Sequence, residues 1–253
     1  MEETKTLIYD GSFNGFLTAI YYAFETNKSG IIIQKKGDKP SGIFSNSSII
    51  FTDMRKAQNV WKTIQNKNNA AIKNIYFAFL SENKNIENQL YLYIKNLFNP
   101  YIASQIGYSI VIQIKLENTA LRVAKEKKYL EKSIEFQLSK DQILFSNISP
   151  NNDVLPLISK YFRTRHNSKF WLIYDVKRNY GIYYNTFGIE TISINTNQIL
   201  EYKTNNNIGK TKKIPELNNY FQLNDINTLV LNKLHNESSF NTLSDINVKN
   251  IAI

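Results

Sequence analysis

The segment that most constrains the fold is the aromatic run KFWLIYDVKRNYGIYYN at residues 169–185. Side chains of an extended strand alternate between its two faces, and here both sets are apolar. A strand of this kind has to be covered on both sides, so it is predicted to be central in a sheet. The turn residues that follow it and the second apolar run at 181–184 predict a β-hairpin. The two apolar sets are Phe170, Leu172 and Tyr174 on one face and Trp171 and Ile173 on the other.

Helical periodicity dominates the first half of the chain. Apolar residues recur three and four positions apart in five segments, which predicts five helices there. The step Asp10-Gly11-Ser12 is expected to cap the first helix, with Asp10 or Ser12 accepting its free N–H groups. The apolar stretch at 6–9 predicts a strand, and the fragments within 30–51 predict a short strand or two. The helical segments begin near residues 13, 53, 69, 86 and 109.

The second half of the chain shows alternating patterns instead. Segments 134–138 and 142–148 predict a hairpin, a short helix follows Asp153, and a strand at 189–194 extends the aromatic hairpin into a meander. We therefore predict an α+β fold in which a helical N-terminal half packs on an antiparallel β-meander formed by the C-terminal half.

The predicted domain organisation follows from the same patterns. Residues 1–200 are expected to form a single α+β domain, with a helical subregion at 10–130 and a sheet subregion at 131–200. Residues 201–253 shift to Asn, Lys and Thr with weak periodicity, which predicts an Asn/Lys-rich linker and a small helical tail.

The charge of the chain is strongly positive. A net charge of +10 favours binding of an anionic partner such as nucleic acid. Only 5 of the 31 basic residues are Arg, however, and Lys, Asn and Ile are the residues that an AT-rich genome supplies. Codon bias is therefore an alternative explanation of the charge.

The sequence contains no Cys, which excludes a disulfide framework, a thiolate zinc site or an iron–sulfur cluster held by this chain. No apolar run is long enough to cross a membrane, and the acidic start does not resemble a secretory signal. We expect a cytoplasmic protein without a membrane partner.

Carboxylates offer the weak catalytic candidates. Asp10 and Asp175 each follow a predicted strand, and adjacent strand ends could support magnesium-dependent phosphodiester chemistry. The alternative is that each carboxylate caps a helix or a turn. Because His166 and His235 are the only histidines and lie in different segments, no histidine metal site is predicted.

Cations next to aromatic residues indicate nucleic-acid binding. The hairpin connection is expected to lift Lys177 and Arg178 clear of the sheet, beside tyrosines that could stack on bases or, alternatively, only pack in the sheet. These tyrosines are Tyr180, Tyr183 and Tyr184. Three alternatives remain open: Arg178 pairs with Asp175 to hold the turn, the lysines form a solvated helix face, and Arg165 offsets a helix dipole. The candidate nucleic-acid-binding residues are Arg165, Lys177, Arg178, Tyr180, Lys128 and Arg122.

Five motifs together resemble an uncharacterised bacterial family known as "probable DNA metabolism protein". The resemblance covers about residues 6–195, with the first and last motifs as its most specific parts. Two family features are absent, a His-Arg pair with its Gly-Phe-x-Arg-Phe run and a C-terminal Pro-x-Arg-Tyr-Trp signature, so residues 128–136 and 215–253 depart from the pattern. The motifs are YDGSFNGFLTA (9–19), TDMRKAQNV (52–60), AFLSE (78–82), DVLPL (153–157) and FWLIYDVKRNYGIYY (170–184).

The resemblance implies a function. Members of that family are typically paired with a radical S-adenosylmethionine protein thought to modify or repair DNA, and some are fused to a uracil-DNA glycosylase-like domain. The expected function is that of an accessory protein that binds DNA and the radical S-adenosylmethionine partner, which would hold the iron–sulfur cluster and S-adenosylmethionine. Two alternatives are a metal-dependent enzyme acting on nucleic acid and an interaction module without a nucleic-acid role.

Overall fold

The computed structural model describes residues 4–26, 30–38, 46–99, 108–138 and 142–193. The predicted α+β class is confirmed, with most helices in the N-terminal half and most strands towards the C-terminal end. The chain divides into two compact units, Met1–Lys125 and Glu126–Ile253. The unit boundary lies within five residues of the predicted boundary between the helical and sheet subregions, while the single domain over residues 1–200 stays a prediction.

The first unit contains a small parallel sheet. Strand β1 (Lys5–Tyr9) lies between β2 (Ile31–Lys35) and β3 (Asn46–Ile49), and it pairs in parallel with both. These strands were expected, but their parallel pairing was not. Parallel neighbours need long crossover connections, and helix α1 (Phe13–Glu25) supplies the one between β1 and β2.

The other helices of the first half begin and end close to their predicted positions. Asp53 caps α2 by accepting from the N–H groups of its first turn, and Asn68 caps α3 in the same way. The long helix α5 crosses the boundary between the units after Lys125. The bounds are α2 Met54–Lys67, α3 Asn69–Phe79, α4 Ile86–Phe98 and α5 Tyr108–Ser133.

The second unit is built on a five-stranded sheet with the order β4-β5-β6-β7-β8. Strand β4 pairs antiparallel with β5. Strand β7 pairs antiparallel with both β6 and β8, which is the predicted meander. The sheet is mixed because β5 and β6 pair in parallel, and helix α6 connects them. The elements are β4 Gln137–Leu138, β5 Leu144–Ile148, α6 Leu155–Arg165, β6 Trp171–Asp175, β7 Tyr180–Tyr184 and β8 Ile189–Ser193.

Strand β6 is central, as its two apolar faces predicted. All five of its residues are buried, and Trp171 is completely buried between the rings of Phe162 on α6 and Tyr184 on β7. A tryptophan buried in this way contributes about 1.5–3 kcal/mol or more through the hydrophobic effect. This buried strand ends at Asp175, which positions the hairpin tip.

Several predictions lie outside the described residues. These are the connection of the predicted hairpin at 139–141 and the linker and tail at 201–253. Within the described ranges, no helix has both the length and the apolar character that a membrane crossing requires.

Candidate functional site

The tip of the β6–β7 hairpin is organised around a buried carboxylate. Asp175 is completely buried, and its Oδ1 accepts hydrogen bonds from the backbone N–H groups of Lys177 at 2.9 Å and Arg178 at 3.2 Å. Its Oδ2 accepts from the Arg178 guanidinium at 2.7 Å. The ion pair that sequence analysis left open as an alternative is therefore formed, and it holds the turn.

The same tip binds a loop, Pro150–Asp153, which we call the clamped loop. The Arg178 guanidinium donates to the carbonyl oxygens of Pro150 at 3.2 Å and Asn151 at 2.9 Å. Lys177 Nζ donates to the carbonyl of Asn151 at 2.9 Å. With its side chain only 9% exposed, Arg178 is not lifted clear of the sheet, contrary to expectation. Sequence periodicity could not show this, because the loop is more than 20 residues away in the chain.

Glu126 also binds the clamped loop. It lies on α5 and is the first residue of the second unit. Its carboxylate accepts from the backbone N–H groups of Asn151 at 2.7 Å and Asn152 at 2.9 Å, and from the side-chain amide of Asn152. A charged acceptor strengthens each of these hydrogen bonds. The sequence analysis did not identify this role of Glu126, for which no local pattern gives a signal.

Tyr180 also forms a hydrogen bond with the clamped loop. Its hydroxyl donates to the carboxylate of Asp153. Burial, and then the neighbouring Asp153 charge, raise the pKa of Tyr180 far above its ordinary value. Tyr183 and Tyr184, the other candidates for base stacking, are buried in the sheet. The aromatic residues of the hairpin therefore serve mainly the interior of the second unit.

A second group of cations is arranged differently. Five exposed cations lie at the end of α5 and around the end of α6, and we call them the basic corner. The rings of Phe136 and His166 are 5.1 Å apart, which brings the ends of the two helices together. No described carboxylate forms an ion pair with any of the five. The basic corner consists of Lys128, Lys132, Arg163, Arg165 and Lys169.

Aromatic groups accompany these cations. Arg165 Nη1 donates to the hydroxyl of Tyr161 at 3.0 Å, and its guanidinium lies 6.0 Å from the centroid of that ring. Tyr129, between Lys128 and Lys132 on α5, is 68% exposed. Burial, and then the charges of Arg165 and Lys169, lower the pKa of His166 below its ordinary value. The corner therefore combines concentrated positive charge with accessible aromatic surface.

Other cations of α5 differ from one another in their contacts. Arg122 is exposed and donates to Thr119 Oγ1 at 3.2 Å, in the first unit. Lys127 pairs with Glu131 at 3.1 Å on a different side of the helix. Of the two candidates on α5, Lys128 therefore belongs to the basic corner and Arg122 does not.

Asp10 lies at the end of β1, in the first unit. Its Oδ1 accepts from the N–H of Ser12 at 2.9 Å and from the Ser12 hydroxyl at 2.7 Å, while its Oδ2 accepts from Thr52 Oγ1 at 2.7 Å. Partial burial acts to raise the pKa of Asp10, but the hydrogen bonds from Ser12 and Thr52 outweigh it and hold the pKa below its ordinary value. Ser12 in turn caps α1 by accepting from the N–H of Gly15, as the capping prediction required.

Gly15 allows this arrangement. A Cβ at that position would lie 2.2 Å from Asp10 Oδ1 and 2.9 Å from Thr52 Oγ1. Asp10 therefore fits against the first turn of α1 as a structural acceptor that links β1 to the segment after β3.

The structure does not bring the two catalytic candidates into one sheet. Asp10 ends a strand of the three-stranded sheet, whereas Asp175 ends a strand of the five-stranded sheet in the other unit. In the described part of the chain, no three His, Cys, Asp or Glu residues are grouped so that they could hold a metal ion. Both carboxylates instead accept hydrogen bonds from their own turns, which is the capping alternative.

Comparison with known families places the second unit in context. A family model for DUF4130, a domain of unknown function, matches residues 84–240, more than half of the chain. This chain belongs to the DUF4130 family. The DUF4130 match includes the clamped loop and the basic corner but not Asp10, and no curated protein matches the chain.

Proposed function

We propose that this DUF4130 protein is a DNA-binding accessory protein that contacts DNA phosphates through the basic corner. The observation that supports the proposal is a cluster of five exposed cations without a described carboxylate partner. Grouped like charges repel one another, and a polyanion relieves that repulsion by replacing counterions. The carboxylate next to Lys132 in the sequence, Glu131, pairs with Lys127, which is not a member of the basic corner.

The aromatic residues of the corner fit the same ligand. Tyr129 is exposed between two lysines, and Tyr161 lies under the Arg165 guanidinium. Stacking of a base on an aromatic ring is worth roughly 1–3 kcal/mol, and adjacent cations hold the phosphates on either side. We propose that the ligand is DNA with at least one unstacked base.

The second part of the proposal concerns protein partners. The motifs quoted above resemble a family that is paired with a radical S-adenosylmethionine protein and is sometimes fused to a uracil-DNA glycosylase-like domain. Because this chain has no Cys, the iron–sulfur cluster and S-adenosylmethionine would be held by the partner. The chain would then deliver or retain DNA for that enzyme.

A salt titration tests the DNA-binding part. Replacing Lys128 and Lys132 together with Ala should reduce the slope of log K against log salt by about 2 on duplex DNA, since each phosphate contact contributes about 0.9. The matched control replaces Lys62 and Lys67, exposed lysines of α2, and should leave the slope unchanged. Equal effects of the two double variants would show that only the overall charge matters.

Co-expression tests the partner. The full chain, tagged and produced together with the radical S-adenosylmethionine protein, should capture it in an affinity purification. Absence of capture both with and without DNA would refute the complex and leave the DNA-binding proposal to stand on the titration alone.

A further inference from the structure

The turn between β7 and β8 presents an aromatic side chain to solvent. Phe187 lies in this turn and is 96% exposed. A single exposed apolar side chain is common on protein surfaces, so its exposure alone assigns it no role. The inference drawn from Phe187 depends on how the turn is held and on which charges lie beside it.

Hydrogen bonds hold this turn in one backbone conformation. Asn185 Oδ1 accepts from the backbone N–H groups of Phe187 at 3.1 Å and Gly188 at 2.8 Å, and Asn185 Nδ2 donates to Glu190 Oε1 at 2.7 Å. Thr186 has a φ of +70°, a left-handed conformation that a β-branched residue rarely adopts. Because the backbone that carries Phe187 is already ordered, less conformational entropy is lost when its ring binds a ligand.

The turn lies next to the basic corner. The Tyr184 hydroxyl is within hydrogen-bond distance of two carbonyl oxygens, that of Thr186 at 2.9 Å and that of Asn167 at 3.2 Å. Asn167 lies between Arg165 and Lys169, two exposed cations of the corner. One hydroxyl therefore joins the turn to the connection that carries these cations.

The register of the sheet gives the same placement. Strands β6 and β7 are antiparallel, and Trp171 pairs with Tyr184 at the end of β7. Lys169 precedes this pair by two residues and Phe187 follows it by three, so both lie at the same end of the sheet. The Phe187 ring is therefore presented beside cations that the proposed function assigns to DNA phosphates.

An exposed ring next to exposed cations restricts the ligand that fits. The cations favour a phosphate backbone, and the phenyl ring offers a flat apolar face. Every DNA base has a face of the same kind, so a base can stack on the ring whatever its identity. In an intact duplex the bases are paired and stacked on one another, so this contact needs a base that is unpaired or flipped out.

We propose that Phe187 stacks on an unpaired base of DNA whose phosphates are bound by the basic corner. The inference rests on the proposed DNA-binding function and deepens it, because it names the residue that receives the base. Stacking tolerates all four bases, so Phe187 contributes affinity for single-stranded DNA without sequence preference.

The first test compares two strands and two variants of the full chain. Fluorescein-labelled dT12 and a 12-mer of abasic sites carry the same phosphates, and anisotropy measures the affinity for each. Phe187→Ala should weaken binding of dT12 by about fivefold or more and leave binding of the abasic strand unchanged, because only dT12 has bases to stack. Phe51→Ala is the matched control, since Phe51 is 82% exposed but lies in the first unit, and it should alter neither affinity.

The outcomes separate this inference from the function on which it rests. If the unmodified chain binds neither strand, both the DNA-binding function and the stacking are overturned. If both strands bind and Phe187→Ala changes neither affinity, only the stacking is overturned, and the exposed ring is left for a contact with protein. An equal loss of affinity for the two strands, with a lowered melting temperature, would show that Phe187 only stabilises the turn and would also overturn the stacking.

The second test asks whether the ring itself is required. Phe187→Trp keeps an aromatic face and should bind dT12 at least as tightly as the unmodified chain. Phe187→Leu keeps an apolar side chain without a ring and should lose about as much affinity for dT12 as Phe187→Ala. Unchanged affinity of the Phe187→Leu variant for dT12 would overturn stacking as the contact.

Discussion

The hairpin tip and the basic corner both belong to the second unit and look equally basic in the sequence, but their cations have different partners. At the tip, Arg178 and Lys177 donate to a buried carboxylate and to the carbonyl oxygens of the clamped loop. At the corner, no described carboxylate pairs with Arg165, Lys128 or their three neighbours. The tip uses positive charge to stabilise the fold, and the corner leaves it accessible to a ligand.

This difference shows that the charge of a turn does not reveal its role. A cation whose donors are satisfied within the protein would have to give up those hydrogen bonds to bind a phosphate, at a cost of about 1.5–3 kcal/mol each for charged groups. A solvated cation exchanges only water and counterions. The prediction that Arg178 binds DNA therefore carries a cost that does not apply to the corner.

The largest expected effect is on the tip. Arg178→Ala leaves Asp175 buried without its ion-pair partner and removes two hydrogen bonds from the clamped loop, so the free energy of unfolding should fall by about 3–5 kcal/mol. Urea unfolding followed by circular dichroism measures the change. Lys177→Ala is the control and should cost about 0–1 kcal/mol, since that side chain is exposed. A loss below about 1 kcal/mol for Arg178→Ala would mean that Arg178, like the cations of the corner, does not stabilise the fold.

The next effect concerns the other anchor of the clamped loop. Glu126→Ala removes an acceptor shared by three donors of Asn151 and Asn152, and we expect a loss of about 2–3 kcal/mol in the same urea experiment. Glu131→Ala, five residues further along α5, removes only the acceptor of the partly exposed Lys127 pair and should cost about 0–1 kcal/mol. Similar losses for the two variants would mean that Glu126 does not anchor the loop.

A smaller effect of opposite sign is expected at the buried amide of Asn147. Asn147→Leu replaces two unsatisfied polar groups with an apolar side chain of similar size, so the free energy of unfolding should stay constant or rise by about 1 kcal/mol. Asn118→Leu on the exposed surface of α5 should change it by less than about 0.5 kcal/mol. A clear destabilisation by Asn147→Leu would indicate that the amide has a hydrogen-bond partner in the folded protein.

Local patterns predicted the local structure of this chain well. The spacing of apolar residues predicted the correct start of α4 at Ile86, and the Asp10-Gly11-Ser12 step indicated the cap that Ser12 forms. The two apolar faces of the segment at Trp171 correctly predicted a central strand, because burial on both sides leaves a direct mark on the residue types.

Contacts between distant segments leave no such signal in the local sequence pattern. Neither the parallel pairing of β1 with β2 and β3 nor that of β5 with β6 follows from alternation alone, because both pairing modes have the same period. The tip was predicted to project freely, since its turn residues say nothing of a loop that begins at Pro150. Asn147 is one Asn in an Asn-rich chain, and only the structure distinguishes it by burial without a partner.

The smallest expected effect tests the electrostatics of the corner. Burial, and then the charges of Arg165 and Lys169, hold the pKa of His166 below that of an unfolded histidine, about 6.5, so the unfolded chain binds more protons near that pH. This contribution to stability is complete above about pH 6.5 and is lost as the pH falls through the folded-state pKa. Arg165→Ala should therefore raise the pKa of His166 in an NMR titration, with the resonance assigned by His166→Gln.

Lys177→Ala should leave that pKa unchanged, because Lys177 at the tip is not among the groups that lower it. A phosphate bound beside Arg165 should raise the His166 pKa in the unmodified chain, so an oligonucleotide that binds without moving this resonance must bind away from the corner.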